Sequence, residues 1–387
     1  MRTYEEHLSA VRAVVTAPNV VTRSLLEADG MVLAKSINAT YNSPRFDNSQ
    51  MDGYAITDPA GGTLTVGATV AAGDTAATPL KEGIATPIMT GAKVPEGTKA
   101  IVPVEFCEPS TFVEQGGTVT IPAVKEGQYI RKAGSDVEEG KLLIPGGTRL
   151  LPAAISALAG QGYTEVEVYA PARIVVVTGG AEIGTANLSA GQIPDSNGPM
   201  IAALCKEYGI EVVAYVRTND DPGILRSDLE GVVRLYQPDA IVTSGGVSHG
   251  KFEVVRQVFE ANGWFGHVAQ QPGGPQGLAH LGDVPVICLP GNPVSTLVSF
   301  RLYVGPVLGH SRPPYISRIM QDVDGLESRD QFRRGVLSHS PEGMGQAELL
   351  PGAGSHLISQ AMSATALIRI PAGAHLKAGD PVEVFPI

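Results

Sequence analysis

The sequence predicts a multidomain protein in which a mostly parallel, doubly wound α/β domain is combined with smaller β-rich parts. The chain has 387 residues, and at roughly 150 residues per domain this is too long for one ordinary core. From residue 172 onward, short apolar runs alternate with helical patterns, as expected for βαβ units around a parallel sheet. Two other regions carry short runs between glycines and prolines, of which the chain has 46 and 29, and these regions predict small β domains.

The first 171 residues predict a helical part that is interrupted by a β unit. Apolar periodicity indicates three helices, at residues 4–15, 24–37 and 151–160. Between the second and the third helix, the runs TLTVGATV, AIVPVEFCE and GTVTIPAV have the alternation of short strands. We therefore expect a helical and linker domain at residues 1–48 and 131–171, with a β domain inserted at residues 49–130.

The predicted α/β domain covers residues 172–312. Its strands are expected at ARIVVVTG, EVVAYVR, DAIVTSGG and VPVICLPG, and its helices at residues 195–208, at residues 222–235 and after Phe252. After two prolines, residues 313–387 return to strand-like runs with many glycines. This last region predicts a C-terminal β domain.

Composition limits the classes of function. A net charge of −11 and an aromatic content of 5% argue against nucleic acid as a partner. The sequence contains no apolar N-terminal leader and no uninterrupted apolar run of about 18 residues, so we expect neither secretion nor a membrane span. Cys107, Cys205 and Cys288 lie in apolar surroundings without metal-ligand spacing. They predict buried thiols in a cytoplasmic protein.

The segments that follow the predicted parallel strands are rich in small polar residues. In a parallel sheet these segments meet at one edge, where ligands bind. They are Thr178-Gly179-Gly180-Ala-Glu182, Asn219-Asp220-Asp221-Pro222, Ser244-Gly245-Gly246-Val-Ser248 and Leu289-Pro290-Gly291-Asn292-Pro293-Val-Ser295. Gly245 and Gly246 would let backbone N–H groups approach an anion, and Asn292 and Pro293 would begin a helix. A plain tight turn or a capped turn without a ligand would explain the same patterns.

Acidic residues at these strand ends offer a metal site. The carboxylates of Glu182, Asp220, Asp221 and Glu253 could hold Mg²⁺, which binds one or two carboxylates together with water and phosphate oxygens. Each of them also suits a helix cap or a solvated surface. Asp221 in particular precedes a proline, as is common where a helix begins.

A second polar cluster lies upstream, in the loop SPRFDNSQMDGYA at residues 43–55. Its density of Asp, Asn and Ser would be explained by a ligand site or by a solvated loop of Asx turns. Thr90 and the stretch from Arg131 to Asp136 are similar small polar segments. Arg131 and Lys132 would provide a phosphate contact in an otherwise acidic protein.

Seven segments, read in order, resemble the molybdopterin molybdenumtransferases, the family of the bacterial MoeA proteins and of the homologous domain of gephyrin. They are PRFDNSQMDGYA, IMTGAKVPEGTKAIVPVE, GQYIRKAGSD, VVTGGAEIG, GQIPDSN, SGGVSHG and LPGNPVS, and they extend over nearly the whole chain. The resemblance implies an elongated subunit with a helical part, an inserted β domain, a molybdopterin-binding α/β domain and a C-terminal β barrel.

The resemblance also implies a reaction and partners. Molybdate would be inserted into adenylyl-molybdopterin, and AMP would be released in the presence of Mg²⁺. The family usually forms homodimers, and its active cleft combines the α/β domain of one subunit with the β-insert side of the other. Other proteins of molybdenum cofactor biosynthesis would be further partners.

The family pattern and the loop chemistry together predict the site residues. By position, functional roles carry over to Asp52, Thr90, Asp136, Glu182, Asp220, Pro290 and Pro293. The predicted catalytic set is Asp52, Thr90, Asp136, Glu182, Asp220 and Glu253, of which the last three would also bind Mg²⁺. The predicted substrate-binding set is Arg131, Gly245, Gly246, Ser248, Pro290, Gly291, Asn292, Pro293 and Ser295.

Three departures from the family pattern count against full activity. Where the family reads TGDE, this chain has an inserted Ala181 and lacks the Asp. The acid that ends GGVSxGxxD is Glu253, and the lysine of the family's PGKP turn is replaced by Gly274. Losing a lysine beside a dianion costs as much as about 4 kcal/mol in a partly shielded pocket. Lys251 and His249 are nearby candidates for a replacement charge.

These departures leave two alternatives to a working molybdenum insertase. One is a divergent paralogue that binds molybdopterin as a carrier or scaffold with weak or no transfer activity. The other is a family enzyme that uses a different oxyanion, such as tungstate.

Overall fold

The chain is divided into two units. A computed structural model describes residues 1–16, 18–74, 78–180, 183–184, 189–218, 221–247, 253–341 and 343–387. We call Val20–Tyr169 the inserted unit, and Met1–Asn19 with Ala170–Ile387 the main unit. Across the described residues, every helix is too short or too polar to cross a bilayer.

The main unit begins with helix α1 (Tyr4–Val14), which confirms the helix predicted at residues 4–15. Thr3 and Glu6 form a capping box: Thr3 Oγ1 accepts a hydrogen bond from Glu6 N at 3.1 Å, and the Glu6 carboxylate accepts one from Thr3 N at 2.8 Å. Tyr4 and Val11 are buried in the core of the main unit. The cap fixes where the helix begins, and its apolar stripe fixes which face is buried.

The inserted unit is rich in short strands, as predicted for residues 49–130, but strands also form in the flanking regions that were predicted to be helical or linker. They are β1 (Val20–Ser24), β2 (Val32–Leu33), β3 (Ile37–Asn38), β4 (Asn48–Ser49), β5 (Gly53–Ile56), β6 (Gly62–Val66), β7 (Ile84–Ile88), β8 (Ala100–Pro103), β9 (Thr118–Ile121), β10 (Ile130–Arg131), β11 (Leu142–Ile144) and β12 (Glu165–Tyr169). Helix α2 (Pro152–Gly160) confirms the helix predicted at residues 151–160. Strands β5 to β9 form a 5-stranded sheet in the order β8-β5-β7-β6-β9, with Tyr54, Val102 and Ile121 in its core.

The helix predicted at residues 24–37 is wrong. This stretch forms turns between β1, β2 and β3, and Gly30 within it has a φ of 78°. Both β1 and β2 pair with β12, which comes far later in the chain. The apolar residues that suggested a helix, such as Leu25 and Leu33, pack with Val168 of β12. Long-range pairing therefore overrides the local periodicity.

The α/β part of the main unit follows the predicted order of elements. Its strands are β13 (Arg173–Gly179), β14 (Ile183–Gly184), β15 (Ile193–Pro194), β16 (Glu211–Thr218), β17 (Ala240–Ser244), β18 (Gly263–His267), β19 (Gln270–Gln271), β20 (Pro275–Leu281) and β21 (Val284–Leu289). Its helices are α3 (Asn197–Tyr208), α4 (Pro222–Tyr236), α5 (Val254–Phe259), α6 (Pro293–Ser299) and α7 (Gly305–Leu308), with a π-helical turn (Phe300–Val304) between the last two.

One 6-stranded sheet, in the order β16-β13-β17-β21-β20-β18, forms the centre of the main unit. The first four strands are parallel, and the antiparallel pair β20 and β18 extends one edge. Alternate residues of β13 face opposite sides: Ile174 packs in one core with α3 and α6, and Val175 packs in the other with α4 and α5. Helices thus cover both faces, and the doubly wound arrangement is confirmed.

The C-terminal region of the main unit is a closed barrel. Its strands are β22 (Tyr315–Ile319), β23 (Val323–Asp324), β24 (Asp330–His339), β25 (Gly345–Leu349), β26 (Ala366–Ile370), β27 (His375–Leu376) and β28 (Pro381–Pro386). Neighbours pair in the order β24-β25-β22-β28-β26, and β26 pairs back with β24. The predicted fold class is therefore confirmed. The predicted domain boundaries stay predictions.

Candidate active site

A cavity of about 800 Å³ opens at the carboxyl ends of β13, β17 and β21 in the main unit. We call it the cleft. Three of the four predicted strand ends meet there, represented by Gly179, Gly245 and Pro290. The turn at residues 270–275 and a C-terminal segment at residues 353–356 line its other sides. At the fourth strand end, Asn219 and Asp220 lie outside the described residues.

Two glycine turns touch each other at the base of the cleft. Gly245 and Gly246 have φ values of 98° and 69°, a region that glycine adopts at little cost. A Cβ on Gly246 would lie 2.9 Å from Cγ2 of Val255, and one on Gly291 would lie 3.3 Å from Cα of Gly245. The two turns can approach this closely because neither carries a side chain.

The backbone donors of the cleft lie at its two glycine turns. Gly245 N donates a hydrogen bond to Leu289 O at 3.0 Å, so this amide already has a protein acceptor, and the role of Gly245 in substrate binding stays a prediction. Across the described residues, the N–H groups of Gly246, Gly291 and Asn292 have no hydrogen-bond acceptor. Amides free of protein acceptors at adjacent turns can bind the oxygens of an anion.

The beginning of α6 is held by one side-chain hydrogen bond and one backbone hydrogen bond. Asn292 is at the N-cap and Pro293 in the first turn, as predicted, but the Asn292 side chain makes no capping bond. Instead, Thr296 Oγ1 donates to Pro290 O at 2.7 Å, and Val294 N donates to Ser355 O at 3.0 Å. The helix start and the C-terminal segment are thus joined at the cleft wall, where Ser295 is also buried.

Asn197 connects the two glycine turns. Its Nδ2 donates to Ser244 Oγ at 2.9 Å and to Gly291 O at 2.6 Å. Ser244 Oγ in turn lies 3.0 Å from Thr296 Oγ1. One amide group therefore holds the end of β17 and the end of β21 at a fixed separation.

Asp195 sets the position of Asn197. Its carboxylate accepts hydrogen bonds from Thr178 Oγ1 at 2.7 Å and from the N–H groups of Asn197 and Gly198 at 3.0 Å each. These contacts tie the beginning of α3 to the end of β13. Neither residue was among the predicted site residues, although both belong to the quoted segment GQIPDSN.

The turn at residues 270–275 is also rigidly held. The buried Gln270 donates through Nε2 to Pro272 O at 3.0 Å and accepts a hydrogen bond from Tyr303. The buried Gln276 donates to Gly273 O and to Ser299 Oγ, both at 2.7 Å. These amides fix the turn that contains Gly274, the position of the absent lysine.

In the inserted unit, Asp52 and Thr90 are in direct contact. Asp52 Oδ1 accepts hydrogen bonds from Thr90 N at 2.6 Å and from Thr90 Oγ1 at 2.7 Å. These two bonds lower the pKa of the Asp52 carboxyl group. The fold thus brings together two predicted catalytic residues that are 38 positions apart in the sequence.

The other predicted residues of the inserted unit lie close by in the same fold. The polar loop reaches the basic stretch through Asp47, which accepts hydrogen bonds from Lys132 Nζ and Ala133 N at 2.8 Å each. Arg131 Nη1 lies 3.5 Å from Asn48 Oδ1. Asp136 is exposed, and its backbone N–H donates to Ser43 O at 2.9 Å. Strand β10 pairs with β4, which brings these segments side by side.

Comparison with known proteins decides the family. Residues 2–162 match the model of the MoeA N-terminal region (domain I and II), residues 174–310 that of a probable molybdopterin binding domain, and residues 318–387 that of the MoeA C-terminal region (domain IV). The chain belongs to the MoeA family.

Relatives of this MoeA family member match over nearly its whole length. It is 33% identical over 417 residues to molybdopterin molybdenumtransferase 2 of Mycobacterium tuberculosis, with 100% of both chains covered. It is 31% identical over 382 residues to the molybdopterin molybdenumtransferase of Haemophilus influenzae, with 94% of this chain and 93% of the relative covered. A solved molybdopterin biosynthesis MoeA protein of Pyrococcus horikosii has a TM-score of 0.78 at 28% identity, covering 99% of this chain and 98% of the other.

The predicted metal ligands are only partly placed in this MoeA family member. Glu253 lines the cleft, whereas Glu182, Asp220, Ser248 and the departure at Ala181 lie outside the described residues. In the part of the chain that is described, no three His, Cys, Asp or Glu side chains form a group that could hold a metal. Asp221 caps α4 by accepting from Gly223 N at 2.8 Å and Ile224 N at 3.0 Å, as its position before a proline suggested.

Several cleft residues had no clear signal in the sequence. They are His267, Gln270, Arg329, Ser355 and His356. Arg329 and His356 come from the C-terminal region, which the sequence indicated only as a β domain. The suggested replacement cations, Lys251 and His249, lie outside the described residues.

Proposed function

We propose that this MoeA family member is a molybdopterin molybdenumtransferase, which inserts molybdate into adenylyl-molybdopterin and releases AMP to give the molybdenum cofactor. The observation that carries the proposal is the cleft, which is lined mainly by residues of the segment that matches a molybdopterin binding domain. Its volume of about 800 Å³ is within the range for sites of large organic ligands. Relatives that carry the name of this activity match 94% to 100% of the chain.

The residues of the cleft suit an anionic substrate. The amides of Gly246, Gly291 and Asn292 would donate hydrogen bonds to the pyrophosphate that joins pterin and AMP. Asn197 would hold the two turns in place, so that these donors need no rearrangement when the phosphoanhydride bond is cleaved. The role of this chain is thus to bind and orient the substrate with groups that are already fixed.

Magnesium would be held by Glu182, Asp220 and Glu253. Carboxylate oxygens are the ligands that Mg²⁺ prefers, and the donor set contains only these. The bound ion would neutralise charge on the pyrophosphate as AMP leaves. The check is AMP release after treatment with EDTA, which should be lost and should return on addition of Mg²⁺. Release that survives EDTA would contradict the need for Mg²⁺ and leave the transferase assignment intact.

A homodimer would complete the site, with Asp52, Thr90 and Asp136 supplied by the partner. Two inactive variants, Asp52→Ala and Glu253→Gln, would then complement each other when their subunits are mixed. In a random mixture, about half of the dimers contain one subunit of each variant, and each of these dimers has one intact site of two. About a quarter of the wild-type rate is therefore expected. A mixture no more active than its parents would contradict the shared site.

The transferase proposal is tested by adding purified protein to adenylyl-molybdopterin, molybdate and Mg²⁺. We expect AMP release that depends on molybdate, with molybdenum retained on the pterin, and neither signal when molybdate is omitted. Binding of the pterin without AMP release or metal insertion would refute the proposal and indicate a carrier or scaffold.

A further inference from the structure

One wall of the cleft is a loop from the C-terminal region of the main unit. Four successive residues of this loop, at positions 353–356, line the cleft. They follow strand β25, which ends at Leu349, and precede a short 3-10 turn that begins at Ser359. We call residues 352–357 the wall loop. It contains neither strand nor helix, so its position depends on individual hydrogen bonds.

A single buried arginine holds both ends of the wall loop. Arg334 lies on strand β24 and is only 4% exposed. Its Nη2 donates a hydrogen bond to Gly352 O at 2.8 Å, and its Nη1 donates one to Leu357 O. These two acceptors belong to the first and the last residue of the wall loop, so one planar guanidinium joins its ends. The backbone adds a third connection, because Leu350 N donates to Arg334 O at 2.9 Å.

The acceptors of the Arg334 guanidinium are backbone carbonyl groups. Across the described residues, no carboxylate forms a hydrogen bond with it. Burying a charged group is costly unless the group is hydrogen-bonded, and here the wall loop supplies the acceptors. Loss of these bonds would leave the carbonyl groups of Gly352 and Leu357 without this donor. The guanidinium and the wall loop therefore hold each other in place.

The middle of the wall loop is attached to helix α6. Val294 N donates to Ser355 O at 3.0 Å. Val294 lies in the first turn of α6, where a backbone N–H has no acceptor within the helix. Its hydrogen bond is therefore made only when the wall loop is in place. Exchange of the Val294 amide hydrogen with solvent reports directly on the position of the loop.

We propose that Arg334 is a positioning residue for substrate binding, which joins both ends of the wall loop and so keeps residues 353–356 in the conformation that contacts bound adenylyl-molybdopterin. The identity of this ligand rests on the proposed function. Arg334 does not itself line the cleft and acts through the wall loop. Without this anchor, the loop adopts its binding conformation for only a fraction of the time, and the apparent affinity falls by that fraction.

The test compares the wild type with Arg334→Met and Arg334→Lys in three measurements. They are titration calorimetry with adenylyl-molybdopterin in the absence of molybdate, steady-state kinetics of AMP release, and hydrogen exchange at the Val294 amide. Arg333→Met is the matched control, because Arg333 is the neighbouring arginine on the same strand and does not line the cleft. Its Nε is already without a hydrogen-bond partner in the described part of the chain. Thermal unfolding shows whether each variant is folded.

Arg334→Met should raise the Kd and the KM for adenylyl-molybdopterin about tenfold, as when the binding conformation falls to about a tenth of the population. The kcat should stay within twofold, because saturating substrate restores the position of the loop. The Val294 amide should exchange about tenfold faster in the free variant and return toward the wild-type rate with substrate. Arg334→Lys keeps the charge but lacks the fork, so about a threefold rise in Kd is expected. Arg333→Met should match the wild type.

Two results would overturn the role of Arg334. One is a Kd within twofold of the wild type, or a raised Kd with unchanged exchange at Val294, since the effect would then not pass through the wall loop. The other is a lower kcat with an unchanged KM, the pattern expected when part of the protein is merely unfolded. If Arg334→Met does not fold, Arg334→Lys decides by the same criteria.

The outcomes for the wild type separate this inference from the proposed function. A wild type that binds adenylyl-molybdopterin but releases no AMP would refute the transferase activity, and the Kd and the Val294 exchange would still decide the role of Arg334. A wild type that does not bind adenylyl-molybdopterin would overturn both. An active wild type whose Arg334→Met variant has unchanged Kd, KM and exchange would refute only the role of Arg334.

Discussion

The contact between the two glycine turns can be tested at Asn197. Replacing this residue with alanine removes two hydrogen bonds, to Ser244 Oγ and to Gly291 O. At about 1 kcal/mol net for each bond, the free energy of unfolding should fall by about 2 kcal/mol. Because the site opens onto the cleft, water can reach the groups that are left, and the loss should not be larger.

The aspartate variant gives a sharper result. Asn197→Asp keeps the shape but replaces the donor with an oxygen that faces the Gly291 carbonyl. Oδ1 of Asn197 is already buried without a hydrogen-bond partner among the described residues, so a carboxylate would also bury charge. This variant should therefore lose more stability than the alanine variant, about 3 kcal/mol or more.

Both variants should also lose activity, because the donors on the two turns are no longer held in register. A displacement of about 1 Å in such a site can cost as much as a hundredfold in rate. The assays are urea unfolding and the kcat/KM of AMP release, with Asn262→Ala, an exposed asparagine outside the cleft, as the control. An alanine variant that matches the wild type in both assays, or an aspartate variant more stable than the alanine one, would refute the reasoning.

Three further predictions concern single residues. Asp52→Ala should abolish molybdenum transfer in the AMP-release assay and change the free energy of unfolding by less than about 1 kcal/mol, since the carboxylate is exposed; retained turnover would remove Asp52 from the site. Burial, with a smaller contribution from the charge of Arg2, lowers the pKa of His7 from 6.5 to about 3. Between pH 6.5 and about pH 3 only the unfolded state binds this proton, so the free energy of unfolding should decrease by about 1.4 kcal/mol for each unit by which the pH is lowered. In urea unfolding, His7→Phe should remove this contribution to the pH dependence of stability, and an unchanged pH dependence would contradict the prediction. Burial raises the pKa of Cys288 to about 12, so its thiol should react with iodoacetamide at pH 8 only after unfolding, as mass spectrometry would show, and modification of the native protein would count against its burial.

The elements of the α/β part could be predicted because their signals are local. The runs that became β13, β17 and β21 are mostly apolar and are buried on both faces of the sheet. The loops after them contain glycine or proline at the first positions. Parallel order then requires that these loops meet at one edge, so Gly246, Gly291 and Asn292 could be assigned to one site from the sequence alone.

Where the sequence failed, the missing information was a distant partner. The apolar residues at positions 24–37 satisfied a helical period, but they are buried by pairing with β12 at Glu165–Tyr169. The hydrogen bond of the Gly245 amide also depends on a distant partner, although the predicted role of Gly245 in substrate binding stays a prediction. The sequence suggested that this N–H had no protein acceptor, and only the structure shows that it donates a hydrogen bond to Leu289 O on the neighbouring strand.

The sequence by itself determined the class of fold, the family and the edge of the sheet at which the cleft lies, because strand periods, glycine turns and helix starts depend on neighbouring residues. Only the tertiary structure decided which hydrogen-bond donors face the cleft and which cationic side chain lines it. Asn197 connects two turns that are 47 and 94 positions away from it. Arg329 reaches the cleft because a barrel strand pairs with Gln270–Gln271. Contacts between residues so far apart depend on how whole elements pack, and no local pattern encodes them.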